Sequence, residues 1–160
     1  MGVAIQVPLG FAIIAVVMFF VWQFYKRKID RINQMGSIPQ SIPTNGFEVP
    51  VLAAFTGLKR LPRQVSFAHN NINPSLTLYE YRLDCKVVLK KSILFSKIEK
   101  VDIWDTIATR NIQIYVRDRE DLISANLLNR RNLAQVLTFL KDRNVPLSDR
   151  AKTYLLQHPA

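Results

Sequence analysis

Residues 7–25 read VPLGFAIIAVVMFFVWQFY, a run of nineteen residues without a charged side chain. At about 1.5 Å of rise per residue, a helix of this length spans roughly 28 Å, close to the hydrocarbon thickness of a bilayer. A lone segment in lipid must satisfy its backbone hydrogen bonds internally, which an α-helix does. The run therefore predicts a transmembrane helix over residues 7–25, preceded by a short extracytoplasmic segment, residues 1–6.

The residues at the end of this run suit a membrane–water boundary. Aromatic rings with a polar edge favour the level of the lipid headgroups, and cations favour its cytoplasmic side. Every Lys and Arg of the chain lies after residue 25. The positive-inside rule then predicts a single-pass protein of the bacterial inner (cytoplasmic) membrane, with its N-terminus outside and residues 26–160 in the cytoplasm. The predicted membrane-interface residues are Trp22, Tyr25, Lys26, Arg27, Lys28 and Arg31.

A cleaved signal peptide and a buried helix of a soluble protein are the two alternatives for this run. Signal peptides place a cation before a shorter apolar core and small residues at the cleavage site. Here no cation precedes the core, and the residues after it are WQFYK. A surface helix of a soluble protein carries one polar face, whereas this run is apolar all round. These features favour a retained anchor.

Composition limits the architecture of the remaining chain. A length of 160 residues suits one span and one soluble domain. The net charge of +10 predicts non-specific attraction to anionic lipid headgroups, although nucleic acid attracts cations in the same way. A single cysteine, Cys85, excludes an intrachain disulfide. His69 and His158 lack companions at ligand spacing, so we expect neither a metal site nor a cofactor.

A connector rich in helix-breaking residues lies after the anchor. Residues 26–35 are expected to extend the helix into the cytoplasm, and Gly36 to stop it. Proline and glycine recur through residues 36–64, so no helix can persist there. The apolar part of this connector predicts an extended segment along the membrane surface or on a partner. The third alternative is a short helix over residues 51–58 that covers one edge of the next domain.

Two sets of residues are candidates for binding a partner. Three small residues in the span would permit close approach of another helix, although they form no G-x-x-x-G motif. The apolar residues of the connector would contact the cytoplasmic side of the partner. The candidates are Gly10, Ala12 and Ala15 in the span, and Phe47, Val49, Val51, Leu52 and Phe55 in the connector.

Residues 65–146 predict an α+β domain that is mainly antiparallel β-sheet. No segment of helical length separates its β-rich runs, so the strands should form an antiparallel meander. These runs alternate between apolar and polar residues or are rich in β-branched residues. The expected strands are residues 76–83, 86–95, 98–104, 111–117 and 122–127.

The period then changes to that of a helix. Leu133, Val136, Leu137 and Leu140 are spaced to form the apolar stripe of an amphipathic helix, with Asn129 as its cap. Residues 144–146 are expected to end it. Residues 147–160 predict a last short helix and tail, with Ser148 capping a helix over residues 149–157.

The run of strands closed by one amphipathic helix resembles the pleckstrin-homology-like (PH-like) domains of bacteria. The resemblance covers about residues 76–145 and is carried by YRL at 81–83, ILFSKIEKVDI at 93–103 and NIQIYV at 111–116. Lipid-binding PH domains carry clustered cations around their first hairpin. The region expected to hold that hairpin, residues 84–86, has one Asp and one Lys. The resemblance therefore implies a protein-interaction module at a membrane rather than a specific phosphoinositide site.

No motif in the sequence predicts catalysis. Nucleophile elbows, phosphate-binding glycine loops, H-E-x-x-H and paired cysteine motifs are all absent. Asp102 and Asp105 flank Trp104, but we expect them at a solvated strand edge, and Cys85 is expected to pack beside a strand. We therefore predict that the chain is not an enzyme. An enzyme with an unrecognised site is the alternative.

The sequence as a whole predicts a non-catalytic accessory, assembly or scaffolding subunit of a larger membrane protein complex, a hetero-oligomer that involves no nucleic acid. The single span and the apolar connector motivate this prediction. The alternative is a peripheral lipid-surface sensor that binds anionic headgroups through its basic PH-like domain.

Overall fold

The computed structural model describes residues 3–59, 66–106 and 109–159. These residues form an N-terminal apolar helix, two antiparallel sheets and two C-terminal helices. The helices are α1 (Val3–Asn33), α2 (Arg130–Asp142) and α3 (Asp149–Gln157). The strands are β1 (Phe47–Val49), β2 (Ala53–Leu58), β3 (Ser66–Asn70), β4 (Ser75–Leu78), β5 (Arg82–Lys86), β6 (Lys90–Leu94), β7 (Ile98–Asp105), β8 (Arg110–Val116) and β9 (Asp121–Asn126).

Helix α1 runs without a break from the apolar run into the basic segment after it. Its part Gly10–Asn33 is long and apolar enough to cross a membrane. Large apolar side chains such as Phe11, Ile14 and Met18 are exposed. The helix continues past residue 25 as expected and ends at Asn33, three residues before Gly36.

The strands form two sheets, each antiparallel throughout. One has the order β1-β4-β5-β6 and the other the order β3-β2-β9-β8-β7. The prediction of antiparallel strands and C-terminal helices is confirmed, but a single meander is wrong. The chain crosses between the sheets after β1, because β1 pairs with β4 whereas β2 pairs with β9.

The stretch predicted as one strand over residues 76–83 is a hairpin. Strand β4 ends at Leu78, and β5 pairs with it from Arg82 onward. The reversal places Leu83 opposite Leu78, so both side chains are buried in the core. The expected second strand, residues 86–95, is likewise interrupted at residues 87–89, between β5 and β6. Residues 84–86, expected near a hairpin turn, lie inside β5.

The predicted connector is part of the folded domain. Residues 47–49 form β1 and residues 53–58 form β2, so the helix expected over residues 51–58 is wrong. Val49 pairs with Leu76 of β4, and the side chains of Val49 and of Val51, which lies between β1 and β2, are both buried in the apolar core. The sheets thus begin at Phe47 rather than near residue 65, and residues 60–65 of the expected connector lie outside the described residues.

One apolar core joins the two sheets and the C-terminal helices. The apolar stripe of α2 is buried, as its spacing predicts. The backbone nitrogen of Asn132 donates to the side chain of Asn129 at 2.8 Å, and that of Ala151 donates to Ser148 Oγ at 3.1 Å. Both predicted helix caps are therefore confirmed.

Candidate membrane interface

The last turn of α1 is built into the core of the domain. Ile32 in that turn and Met35, two residues after the helix ends, are both buried, although the apolar part of the helix is exposed. The Asn132 side-chain amide donates a 3.0 Å hydrogen bond to the Ile32 carbonyl, and Arg31 forms a 3.0 Å ion pair with Glu48. We call this contact the joint. It fixes the direction in which the apolar helix leaves the domain.

Two loops lie side by side at the end of the four-stranded sheet that α1 reaches. They are residues 71–74, before β4, and residues 87–89, between β5 and β6. The side-chain amide of Asn70 donates to the Val87 carbonyl at 2.7 Å and so ties the loops together. Lys28 Nζ donates to the carbonyl of Asn71 at 2.5 Å and ties them to α1.

The tips of these loops carry exposed apolar side chains. Ile72 is 79% exposed, Val88 65% and Leu89 76%. Lys86 and Lys90 lie immediately before and after the second loop. Apolar side chains beside cations are the composition that enters the boundary between headgroups and acyl chains. We call Ile72, Val88 and Leu89 the apolar tips; they lie at the α1 end of the sheet, in loops that Lys28 contacts.

A buried carboxylate braces the hairpin that bears Val88 and Leu89. Asp84 Oδ2 lies 2.8 Å from Lys90 Nζ, and Asp84 Oδ1 accepts a 2.6 Å hydrogen bond from Ser92 Oγ. Although desolvation acts to raise it, the hydrogen bonds from Lys90 and Ser92 hold the pKa of Asp84 below its usual range. The carboxylate therefore stays charged at neutral pH and links β5 to β6.

A cleft of about 810 Å³ lies between α1 and this end of the sheet. We call it the joint cleft. Along α1 its lining changes from aromatic side chains, Phe20 and Phe24 among them, to the basic side chains Arg27, Lys28 and Arg31. Ile72 and the segment around Pro50 close the opposite side. The cleft thus has an apolar half toward the N-terminus of the helix and a cationic half toward the domain.

The structure divides the predicted membrane-interface residues into two groups. Arg27, Lys28 and Arg31 line the joint cleft. Trp22, Tyr25 and Lys26 do not, although the Lys26 ammonium lies 5.1 Å from the centre of the Trp22 ring. Sequence position alone did not separate the two groups, because the division depends on where the domain packs on the helix.

The predicted partner-binding residues of the connector serve the chain's own fold. Val49 and Val51 are buried in the core and present no surface to a partner. Phe47, Leu52 and Phe55 are half-buried. Their expected role as an exposed docking segment is therefore corrected for the two valines, whose side chains complete the core.

The three small residues of the span do not share one face of α1. At about 100° per residue, Ala12 and Ala15 lie on the same side, whereas Gly10 lies nearly opposite Ala12. All three are exposed, and a Cβ added at Gly10 would meet nothing within 4 Å. Close approach of a second helix is therefore best served by the face that bears Ala12 and Ala15.

The potentially reactive side chains noted in the sequence are Cys85, Asp102 and Asp105. Burial raises the pKa of the Cys85 thiol to about 12, so it is a poor nucleophile at neutral pH. Asp102 is buried rather than solvated and accepts a 2.6 Å hydrogen bond from Ser148 Oγ, which corrects the expected strand edge. Asp105 pairs with Arg110 at 3.2 Å. Within the described ranges, no three His, Cys, Asp or Glu residues lie close enough to hold a metal ion.

The opposite end of the four-stranded sheet carries a second exposed surface. The turn between β4 and β5 presents Tyr81, which is 78% exposed, and the nearby Leu94 of β6 is half exposed. Among the described strands, β6 pairs only with β5 and forms one edge of its sheet. By contrast, the edge of β7 is covered, because Val101 exchanges hydrogen bonds with Pro146 and Ser148.

Comparison with known proteins does not place the chain in a family. No protein-family model matches the chain, and no curated protein matches it. The assignment of function therefore depends on three structural features: the joint, the apolar tips and the joint cleft.

Proposed function

We propose that this chain is a non-catalytic accessory, assembly or scaffolding subunit of a larger membrane protein complex. Helix α1 anchors it in the bacterial inner membrane, with the N-terminus outside and the sheet domain in the cytoplasm. The joint is the observation that carries this proposal, since Ile32 at the end of the apolar helix is buried within the domain.

A fixed joint suits a subunit better than a recruiting module. A domain that must search for its ligand gains reach from a flexible linker, whose end-to-end distance grows with its length. Here the hydrogen bond between Asn132 and Ile32 holds the end of the helix directly against the domain. The domain is held in one orientation to the span, as stoichiometric docking at two sites of one partner requires.

Two surfaces are available for that partner. In the membrane, the face of α1 with Ala12 and Ala15 permits close helix packing. In the cytoplasm, the edge strand β6, with the exposed side chains of Leu94 and Tyr81 nearby, offers apolar contact area and a strand to which a partner can add. The edge lies on the domain and the small-residue face on the span, so one partner with membrane and cytoplasmic parts would engage both.

The PH-like fold is part of the same proposal. The antiparallel strands and the amphipathic α2 that comes after β9 support it. In the proposed role the domain acts through protein contacts, in keeping with bacterial PH-like domains.

A second candidate is a lipid-surface sensor, in which the basic domain binds anionic headgroups. The apolar tips beside Lys86 and Lys90 favour it, because such a surface gains from acyl-chain contact and from anionic headgroups together. The two candidate functions differ in whether partner proteins remain bound to the chain after detergent extraction of the membrane.

Gentle detergent extraction from the native membrane, with native-size separation and identification of co-migrating chains, tests the proposal. We expect the chain to migrate in a large complex of fixed stoichiometry. Migration alone, near the mass of a monomer or small oligomer, would contradict the subunit role and favour the lipid-surface candidate.

Two matched variants of the span sharpen this test. Ala15→Leu adds bulk to the proposed docking face, and Gly10→Leu adds bulk on another face of the same helix. We expect Ala15→Leu to release the chain from the complex and Gly10→Leu to leave it bound. Equal behaviour of the two variants would argue against docking through the Ala12 and Ala15 face.

A further inference from the structure

Along α1 the lining of the joint cleft changes from apolar to cationic. A membrane lipid changes in the same order, from acyl chains to an anionic headgroup. Phe20 and Phe24 line its part nearer the N-terminus, on the segment that would lie in the hydrocarbon. One to two helical turns later, Arg27, Lys28 and Arg31 line the part beside the domain. Acyl chains and an anionic headgroup in the cytoplasmic leaflet have the same order of depths.

In the cationic half of the joint cleft, Arg27 and Lys28 are available to bind an anionic ligand. Arg31 is engaged by Glu48 at 3.0 Å, and this pair neutralises the Glu48 carboxylate that also lines the cleft. Lys28 donates to a backbone carbonyl, that of Asn71, which carries no net charge to pair with the ammonium. Among the described residues, Arg27 has no hydrogen-bond or ion-pair partner, and its side chain is exposed. A guanidinium in this setting is suited to bind a phosphate in bidentate fashion.

The apolar half excludes a small soluble anion as the best ligand. A free phosphate would contact the three cations but leave the aromatic lining and Ile72 uncovered. A volume of about 810 Å³ also exceeds the needs of one phosphate and lies within the range, about 300–1,000 Å³, of sites for larger molecules. The ligand that satisfies both halves is an amphiphile with a negatively charged head.

We propose that the joint cleft binds one anionic phospholipid of the cytoplasmic leaflet, with its phosphate on Arg27 and Lys28 and an acyl chain against Phe20 and Phe24. The lipid would fill the space between the span and the domain and so become part of the joint. This inference rests on the proposed membrane anchorage. It does not depend on the chain being a subunit of a complex, because the purified chain alone contains the cleft.

Native mass spectrometry of the purified full chain in detergent tests the inference. Phosphatidylglycerol is titrated as the probe, with phosphatidylcholine as the zwitterionic comparison. We expect one phosphatidylglycerol retained per chain, at least about tenfold more tightly than phosphatidylcholine, because both lipids carry the phosphate but Arg27 and Lys28 would repel the choline ammonium. Inorganic phosphate at the same concentration should not displace it.

Arg27→Gln removes the proposed phosphate contact, and Lys26→Gln is the matched control, since it removes a neighbouring charge that does not line the cleft. We expect Arg27→Gln to weaken phosphatidylglycerol binding about tenfold and Lys26→Gln to leave it within about twofold. Equal losses in the two variants, equal retention of the two lipids, or displacement by inorganic phosphate would each overturn the proposal. If the unaltered chain does not bind phosphatidylglycerol but still migrates in the native complex, this inference is contradicted and the proposed subunit role is not.

Discussion

The side-chain amide of Asn132 donates a 3.0 Å hydrogen bond to the backbone carbonyl of Ile32, across one hundred residues of sequence. Ile32 lies in the last turn of α1, and its carbonyl also accepts a longer hydrogen bond, 3.4 Å, from the backbone nitrogen of Met35. Both residues are buried. The bond from Asn132 is the shorter of the two, and it joins the apolar helix to α2.

Loss of this bond should loosen the joint. We expect Asn132→Ala to lower the free energy of unfolding by about 1–3 kcal/mol, because a buried carbonyl loses its side-chain donor. Arg131→Ala, at the exposed neighbouring position of α2, should change it by no more than about 0.5 kcal/mol. Denaturant unfolding of the full chain in detergent measures both. Equal effects of the two substitutions would mean that the contact does not stabilise the joint.

Gly46 should resist substitution for two reasons. Its φ angle is +82°, a conformation that residues with a Cβ adopt at a cost in energy. An added Cβ would also meet Thr77 Cγ2 at 2.6 Å and Tyr79 Cε1 at 2.8 Å. We expect Gly46→Ala to lower the free energy of unfolding by about 2 kcal/mol or more.

Gly36 provides the control for this substitution, because a Cβ there meets nothing within 4 Å. Gly36→Ala should be neutral or stabilise the chain by up to about 1 kcal/mol, through lower entropy of the unfolded state. Thermal or denaturant unfolding compares the two variants. A neutral Gly46→Ala would contradict the tight packing of the turn before β1.

Asp84 should make stability depend on pH in the acid range. Folding lowers the pKa of this carboxyl from its ordinary value of 3.8. Its contribution is therefore fully present above that value and is lost as pH falls through the lowered pKa of the folded state. Asp84→Asn should lower the free energy of unfolding at pH 7 by about 1–3 kcal/mol and flatten its decline in acid.

Asp142→Asn, at an exposed position of α2, serves as the control for the acid range. It should change the free energy of unfolding by no more than about 0.5 kcal/mol at pH 7. Its decline in acid should match that of the unaltered chain. Unfolding curves from pH 7 to pH 2 test both variants, and an unchanged acid decline in Asp84→Asn would contradict the role given to this carboxylate.

Cys85 should be unreactive in the folded chain. It is buried, and its thiol pKa of about 12 leaves almost no thiolate at pH 7. We expect a maleimide reagent to modify the thiol only when the chain unfolds. The rate of modification should be at least about a hundredfold lower in the native chain than in denaturant. That factor corresponds to protection by about 3 kcal/mol of opening free energy. Rapid modification of the native chain would contradict the burial.

Local sequence patterns predicted the elements whose signals are continuous and bounded. The charge-free run predicted α1, the spacing of Leu133 to Leu140 predicted α2, and Asn129 and Ser148 marked where helices begin. Strands β7 to β9 were also expected close to their observed bounds. In each case the apolar period and a turn or capping residue agree on the same boundary.

The hairpins and the joint were not predicted, for physical reasons. The turn at residues 79–81 contains neither Gly nor Pro, so the alternation of the flanking strands runs through it unmarked. Val88 and Leu89 are apolar and β-prone, and they read as strand although they form an exposed tip. The bond between Asn132 and Ile32 depends on tertiary packing, which no local period encodes.

If the chain is anchored as proposed, α1 spans the bilayer and the joint holds the apolar tips against the membrane. Spin labels at Leu89→Cys and at Tyr81→Cys test it in the full chain reconstituted in phosphatidylglycerol and phosphatidylcholine bilayers. The two positions are about equally exposed in the folded protein, Leu89 at 76% and Tyr81 at 78%. They lie at opposite ends of the four-stranded sheet. Relaxation by oxygen, which concentrates in lipid, is compared with relaxation by a water-soluble nickel chelate.

We predict that oxygen dominates the relaxation of the label at position 89 and that the nickel chelate dominates at position 81. A label at position 89 that meets the nickel chelate as freely as the label at position 81 would contradict the account.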